Sequence, residues 1–157
     1  MKPLVLAAIL MGAALTPGWA AQHCNTAGNQ LTQEFTRWVN DLRAERGLGP
    51  LKLNPALNKA AGGHVCDMAA NNFLSHGGSN GSNLKTRLNK AGYRLSTATE
   101  NIARSSRPTS AATAARLWLN SEGHLKNLLH PSITEMGLAI AQGEGQSYYV
   151  FVGAKPR

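Results

Sequence analysis

Apolar side chains return every three or four positions from residue 31 to residue 42. Leu31, Phe35, Trp38, Val39 and Leu42 fall at helical spacing, with Glu34, Arg37, Asp41 and Arg43 between them. Gly47 supplies a stop and Gly49-Pro50 a turn. A second helix starts at Asn54-Pro55, an N-cap followed by a proline whose missing N–H would lack a helical partner anyway. It carries Leu57, Ala60, Ala61, Val65, Met68 and Ala69 inward. Gly62-Gly63 inside it costs about 1 kcal/mol per glycine relative to alanine, a cost that close packing would explain. Residues 75–83 form a polar, glycine-rich loop, and a short helix follows around Leu84, Leu88 and Ala91, ended by Gly92.

The second half changes period. A strand is expected within residues 94–103, then the basic loop Arg104-Ser105-Ser106-Arg107-Pro108. Thr109 or Ser110 can cap an alanine-rich helix running to about Asn120, and Ser121 can cap one further turn through Leu125. The chain ends in a β-hairpin, with strands at 137–141 and 147–152 around a Gly-rich turn. Neither an internal repeat nor a low-complexity linker divides residues 21–157, which are expected to form one α+β domain.

The first twenty residues follow a different pattern. Lys2 gives a basic start, Leu4 to Leu15 is apolar apart from Gly12, and Pro17-Gly18 breaks the run before the small residues Gly18 and Ala20. This is the pattern of a secretory signal cleaved after Ala20. The run is shorter than the roughly 20 apolar residues of a membrane span, and Ala21-Gln22-His23 before Cys24 is not a lipidation pattern. No transmembrane segment is expected in the mature chain, and a secreted or periplasmic location is.

Composition sharpens this picture. Hydrophobic residues at 43% with 15% charged exclude wholesale disorder. Lys and Arg number 16 against 8 Asp and Glu, a formal +8 that becomes +7 once Lys2 is removed. That balance favours an anionic lipid surface, an acidic envelope polymer or nucleic acid. With three each of Phe, Tyr and Trp, and with Trp38, Trp118 and Phe35 placed as core, little remains for a base-stacking platform. Sequence-specific nucleic-acid recognition is therefore not expected. Export also decides the cysteines: Cys24 and Cys66 would meet an oxidising compartment and pair. Closing the 42-residue separation between them is worth about 4 kcal/mol in the chain-entropy account.

Several residues could carry chemistry. Gly77-Gly78-Ser79-Asn80-Gly81 matches the nucleophile-elbow pattern, with Glu100 and His124 following in the right order. The flanks lack the strand and helix an elbow needs, so a plain flexible loop is expected. His23 and His130 are placed at the surface, and His64 is read as packed on its helix. His76 and His124 each lie beside glycines, where backbone can approach a ligand closely. Glu100 lies at the end of a strand, an unusual place for a carboxylate unless something pairs with it. Two imidazoles and a carboxylate suit zinc or general acid–base work, although no close-spaced ligand motif such as HExxH is present. Arg104 and Arg107 flank one loop, and Lys85, Arg87, Lys90 and Arg94 cluster about the third helix.

The pieces Asn40-Asp41-Leu42-Arg43, Gly47 to Leu51 and His64-Val65-Cys66-Asp67-Met68-Ala69 resemble the start of a bacterial SCP-like domain of the CAP superfamily. The resemblance continues through Phe73-Leu74-Ser75-His76, Arg87 to Tyr93, Glu100-Asn101-Ile102-Ala103, Trp118 to His124, Asn127-Leu128-Leu129 and the final Tyr-Tyr-Val-Phe-Val strand, covering residues 31–153. It implies a three-layer α-β-α sandwich with a central antiparallel sheet and an open cavity lined by two histidines and two glutamates. Those positions fall on His76, Glu100 and His124, but the second glutamate falls on Ser121. Glu122 is adjacent, about 100° away around a helix, and Thr99 stands where the family usually has glycine. Implied is a secreted, non-enzymatic binder of anionic or lipidic ligands. The alternative is a metal-dependent, peptidase-like hydrolase with His76 and His124 on zinc and Glu100 as base.

Material recovered from the secretory route should begin at Ala21, and its intact mass should be two protons light from a Cys24–Cys66 bond. A retained leader, or two thiols that alkylate freely in the folded protein, would contradict this reading.

Overall fold

Along the last strand Tyr148, Val150, Val152 and Ala154 alternate with Tyr149 and Phe151, and all six are buried. Successive strand residues point to opposite faces, so an unbroken apolar run means a sheet covered on both sides. A computed structural model describes residues 28–157. Its elements are α1 (Asn29–Ala44), β1 (Lys52–Leu53), α2 (Pro55–Ala70), α3 (Leu84–Lys90), β2 (Leu95–Ser105), α4 (Ala111–Leu119), α5 (Glu122–Leu128), β3 (Glu135–Gly143) and β4 (Gln146–Pro156). The expected leader, residues 1–20, and Cys24 lie outside the described residues. Cys66 is partly buried on α2, against the core.

The sheet order is β1-β3-β4-β2. One core lies between the sheet and α2 with α3, built on Leu57, Val65, Met68, Leu88, Val150 and Val152. The other packs Phe35 and Val39 of α1, Trp118 of α4 and Leu128 of α5 onto Leu138, Tyr149 and Phe151. The architecture is the expected α-β-α sandwich. β3 and β4 form the hairpin, closed by Glu144 (φ 48°) and Gly145 (φ 73°), a two-residue turn whose positive φ values match strand twist. β4 then pairs antiparallel with β2, placing Glu100 opposite Val152.

One strand departs from the expected antiparallel pattern. β1 runs parallel to β3, Lys52 opposite Glu135, so the sheet is mixed. Two residues are too few to show an alternation, and their position is set from outside. The Asn40 side chain accepts from Leu51 N (2.8 Å) and donates to Leu51 O (3.1 Å), delivering the chain to the sheet edge. Helix starts match the expected chemistry. Asn54 Oδ1 accepts from Ala56 N at 2.9 Å, Asn83 and Thr86 form a reciprocal capping box, and Ser110 Oγ accepts from Thr113 N at 3.0 Å.

Arg43, expected on the polar side of α1, is 1% exposed. Its Nε donates to Gly49 O (2.8 Å) and its Nη1 to Leu128 O (2.8 Å) and His130 O (3.2 Å). The guanidinium therefore satisfies the carbonyl end of α5 while tying it to α1. Burial lowers its pKa, with no carboxylate in the cage.

On the other face α2 rests directly on β3. A Cβ on Gly137 would meet the Leu57 carbonyl group and lie 2.5 Å from Asn58 N, and one on Gly143 would meet the Ala69 carbonyl. Both ends of α2 thus lie on glycines. Backbone on both sides cannot yield as a side chain would, so Gly137→Ala should destabilise the fold by about 3 kcal/mol, the upper end of overpacking costs. Denaturant titration checks this; a loss under about 1 kcal/mol would mean that α2 can lift without penalty.

Candidate functional site

Glu100 projects from β2, the outer strand of the sheet, with its side chain only 4% exposed. A buried carboxylate must be paired and hydrogen-bonded. Both of its oxygens are. Oε1 accepts from Nδ1 of His76 at 2.8 Å and Oε2 from Nη2 of Arg87 at 2.6 Å. Arg87 also donates through Nη1 to His76 O (3.1 Å) and Ser82 O (3.3 Å), gathering the loop between α2 and α3 around the carboxylate. With Nδ1–H committed to Glu100, the neutral His76 ring leaves Nε2 as an acceptor on an imidazole that is 61% exposed.

The glycine-rich loop is held rather than flexible. Asp67 of α2 accepts from Ser79 N (2.8 Å) and from Ser79 Oγ (2.5 Å), while Gly78 N donates to Ser82 O at 2.8 Å. Ser79 is thereby tied to a carboxylate and not to a base, and the region is the loop expected, without an elbow.

The neighbouring strand residue points the other way. Asn101 is fully buried; its amide donates to His124 O (2.9 Å) and its Oδ1 accepts from Asn127 Nδ2 (2.9 Å). Asn127 Nδ2 also reaches Glu100 O at 3.1 Å. These bonds dock α5 beside β2 and bring His124 to the same edge as His76. His124 is partly buried and its Nδ1 has no partner. Burial first, and the His76 imidazole second, lower its pKa.

Of the residues expected at the site, His76 and Glu100 touch, and His124 lies within electrostatic reach of His76. Ser121 is the half-buried N-cap of α5 without a side-chain capping bond, and Glu122 is exposed in the first turn. Neither side chain is hydrogen-bonded to the other three. Arg87, grouped by sequence with surface charges, is instead the counter-ion of Glu100, and Asn101 and Asn127 are the residues that place His124. The available signal was the strand carboxylate itself, read from sequence at a strand end but found in the middle of β2, where burial requires a cation from elsewhere in the chain. Among the described residues no cluster of three or more His, Cys, Asp or Glu is placed to hold a metal.

His64 is 1% exposed, its Nε2–H donating to Ser75 O at 2.9 Å. Its pKa is also lowered, chiefly by burial. His64 and His124 therefore take up protons more readily when unfolded, where histidine titrates near about 6.5. Their contribution to stability is complete above that pH and is lost as acid is added through the depressed native values. The denaturation midpoint should fall between pH 7 and pH 5, and the fall should be shallower in a His64→Gln, His124→Asn double variant. Equal slopes would remove these two imidazoles as the cause.

Residues 36–154 match the family model of the cysteine-rich secretory protein family, CAP. The Bacillus subtilis protein YkwD is 31% identical over 115 residues, 73% of this chain and 44% of YkwD, so this chain spans less than half the length of that curated relative. An extracellular SCP-domain protein from Bacillus anthracis superposes with TM-score 0.72 at 29% identity, covering 92% of this chain and 45% of that one. An outer surface protein of Borrelia burgdorferi gives TM-score 0.75 over 85% of this chain and 99% of its own, and at 17% identity it speaks to the fold alone. Among the described residues no helix is long and apolar enough to cross a membrane. With the sandwich and the family match in agreement, the chain belongs to the cysteine-rich secretory protein family, CAP.

Proposed function

We propose that the protein is an exported, non-enzymatic binding domain that takes anionic or lipidic ligands at the cell envelope or outside the cell. The observation that carries this reading is the double engagement of Glu100 by Arg87 and His76. A base must be free to accept a proton in the reacting complex. Protonating Glu100 would discharge the group that holds both its partners and leave the Arg87 guanidinium without a counter-ion. The carboxylate is thus suited to fixing the loop and the imidazole in place.

Surface charge supports the anionic half of the proposal. Among the described residues the ion pairs found involve only Glu100. The exposed cations Lys85, Lys90, Arg94, Arg104 and Arg107 have no carboxylate within 4 Å and are available to an external anion. Expected to be exported and carrying +7 after cleavage, the protein would meet acidic lipids and polymers first.

The rival reading is a zinc hydrolase with His76 and His124 as ligands and Glu100 as base. Zinc would lower the pKa of a bound water, but catalytic sites use three protein ligands. By the family resemblance the fourth cavity position falls on Ser121, which is no carboxylate, and Glu100 is already engaged by Arg87 and His76. The residues present do not fit such a centre.

Vesicles rich in anionic lipid, or an acidic envelope polymer, should bind the protein in a strongly salt-dependent manner, because exposed charges are screened beyond about 8 Å at physiological ionic strength. Each basic residue near such a surface contributes about 1 kcal/mol, so Arg104→Glu with Arg107→Glu should weaken binding by at least about tenfold. His124→Ala should change it little. Cleavage of a peptide, ester or phosphodiester panel that disappears in Glu100→Gln would overturn the proposal in favour of the hydrolase.

A further inference from the structure

Where β4 ends and β2 begins, four segments of chain bring exposed cations together: Lys59 of α2, Lys90 of α3, Arg94 just before β2, and Lys155 of β4 with Arg157 after it. Backbone bonds fix their company. Arg157 N donates to Arg94 O at 3.0 Å and its Nε to Leu95 O at 3.2 Å, while Ser96 Oγ donates to Lys155 O at 3.2 Å. Tyr93 N donates to Leu88 O at 2.9 Å, which turns the end of α3, with Lys90, toward the start of β2. Lys59 and Lys90 line one groove between α2 and α3. Gly63 lies in its wall with nothing within 4 Å of where a Cβ would be, so open space, not close packing, accompanies that glycine.

These cations are not answered from within the fold. Residues 83–99 contain no Asp or Glu, and neither does β4. Among the described residues the ion pairs found involve only Glu100, so none of the five has a carboxylate within 4 Å. Glu135, which the register sets opposite Ala154, is half-buried and accepts from the Tyr93 hydroxyl at 2.6 Å. The hairpin end of the sheet is different. There Arg107 shares a groove with Glu144, and Arg104 donates to Asn72, whose amide in turn donates to Glu144. A patch of one sign, undiluted by acids, is what concentrates counter-ions over a surface.

The same surface indicates the kind of anion. Lys59 and Lys90 stand on the helical layer and Lys155 and Arg157 on the sheet, so the charges run from one layer to the next. Stable membrane anchoring adds apolar insertion to charge. Among the described residues the exposed large apolar side chains are Leu53, Leu74 and Leu119, and none of them is on these four segments. A single small anion engages one or two of the cations, whereas a flexible chain of repeating negative charge can meet each in turn and release a counter-ion at each. We propose that Lys59, Lys90, Arg94, Lys155 and Arg157 form the binding surface for a linear polyanion. The inference rests on reading the protein as an anion-binding domain, and it places the polymer mainly at the end of the sheet away from Arg104 and Arg107.

Titration of the whole protein with long-chain polyphosphate, orthophosphate and phosphatidylglycerol vesicles tests this. Polyphosphate should bind with an affinity that falls steeply with salt, and orthophosphate at least about a hundredfold more weakly. The triple variant Lys59→Gln, Lys90→Gln, Arg94→Gln, all at exposed positions, should weaken polyphosphate at least about thirtyfold. It should also flatten the log–log salt slope by about two, at roughly 0.7 for each lost contact. Arg104→Gln with Arg107→Gln should weaken polyphosphate less. In the unaltered protein, amide resonances of residues 90–95 and 154–157 should shift on adding polyphosphate ahead of those of residues 104–108. Absence of polyphosphate binding, equal affinity for orthophosphate, a triple-variant loss no larger than that of the arginine pair, or shifts led by residues 104–108 would overturn the proposal. So would a triple variant that loses vesicle binding alone, which would make the surface a membrane face. Vesicle binding that persists while polyphosphate fails would leave the broader reading standing, and Glu100-dependent cleavage with polyphosphate binding intact would overturn only that broader reading.

Discussion

A carboxylate inside a sheet has to be answered by a cation, and much of the arrangement around the site follows from how Glu100 is answered. Arg87 reaches it from α3, and the same guanidinium takes the carbonyls of His76 and Ser82. Three separate stretches of chain are therefore fixed relative to one charge. Removing one partner of a buried pair typically costs about 3–5 kcal/mol because the other is left uncompensated. The pair is consequently a poor place for chemistry that changes protonation and a good place for holding a loop in register. Asn101, the next residue along β2, serves the opposite face in the same way for α5. Two adjacent residues on one strand thus assemble the site from both outer layers.

Most of the helices and the hairpin could be read from the chain because their causes are local. The 3–4 spacing of Leu31, Phe35 and Val39, the caps at Asn54 and Ser110, and the glycines around 143–145 each act within a few residues. β1 could not be read, because Lys52 and Leu53 are a strand only through Asn40 and the edge of β3. Arg43 illustrates the same limit. By spacing it belongs to the polar side of α1, yet its carbonyl partners at Leu128 and His130 lie 85 and 87 residues away. Nothing local announces such a contact.

The site was legible to the same degree. His76, Glu100 and His124 were picked out as candidates by the ordered family pattern, and a carboxylate read at the end of a strand called for a partner without saying which one. Arg87 was hidden because basic residues on a short helix look alike in sequence, and only the fold separates it from exposed Lys85 and Lys90. Gly63 had a plain energetic signature, a glycine in a helix, but the sequence could not distinguish close contact from open space. The open space that the structure places there reverses the expected reason.

Among the described residues β2 is the last strand of the sheet, so one of its sides is offered no further strand. An outer strand of this length, Leu95–Ser105, is the kind of surface on which a second copy can extend a sheet. The amide of Asn127 takes the carbonyl of Glu100 on this strand, and α5 occupies the ground beside it. A side chain thereby stands in for the missing neighbour at the middle of the edge. At the far side of the sheet β1 is only two residues long, too short to template another chain. The residues that place His124 thus also guard the molecule against sheet-to-sheet self-association, so a change that loosens α5 would expose a sticky edge as well as displace a ring.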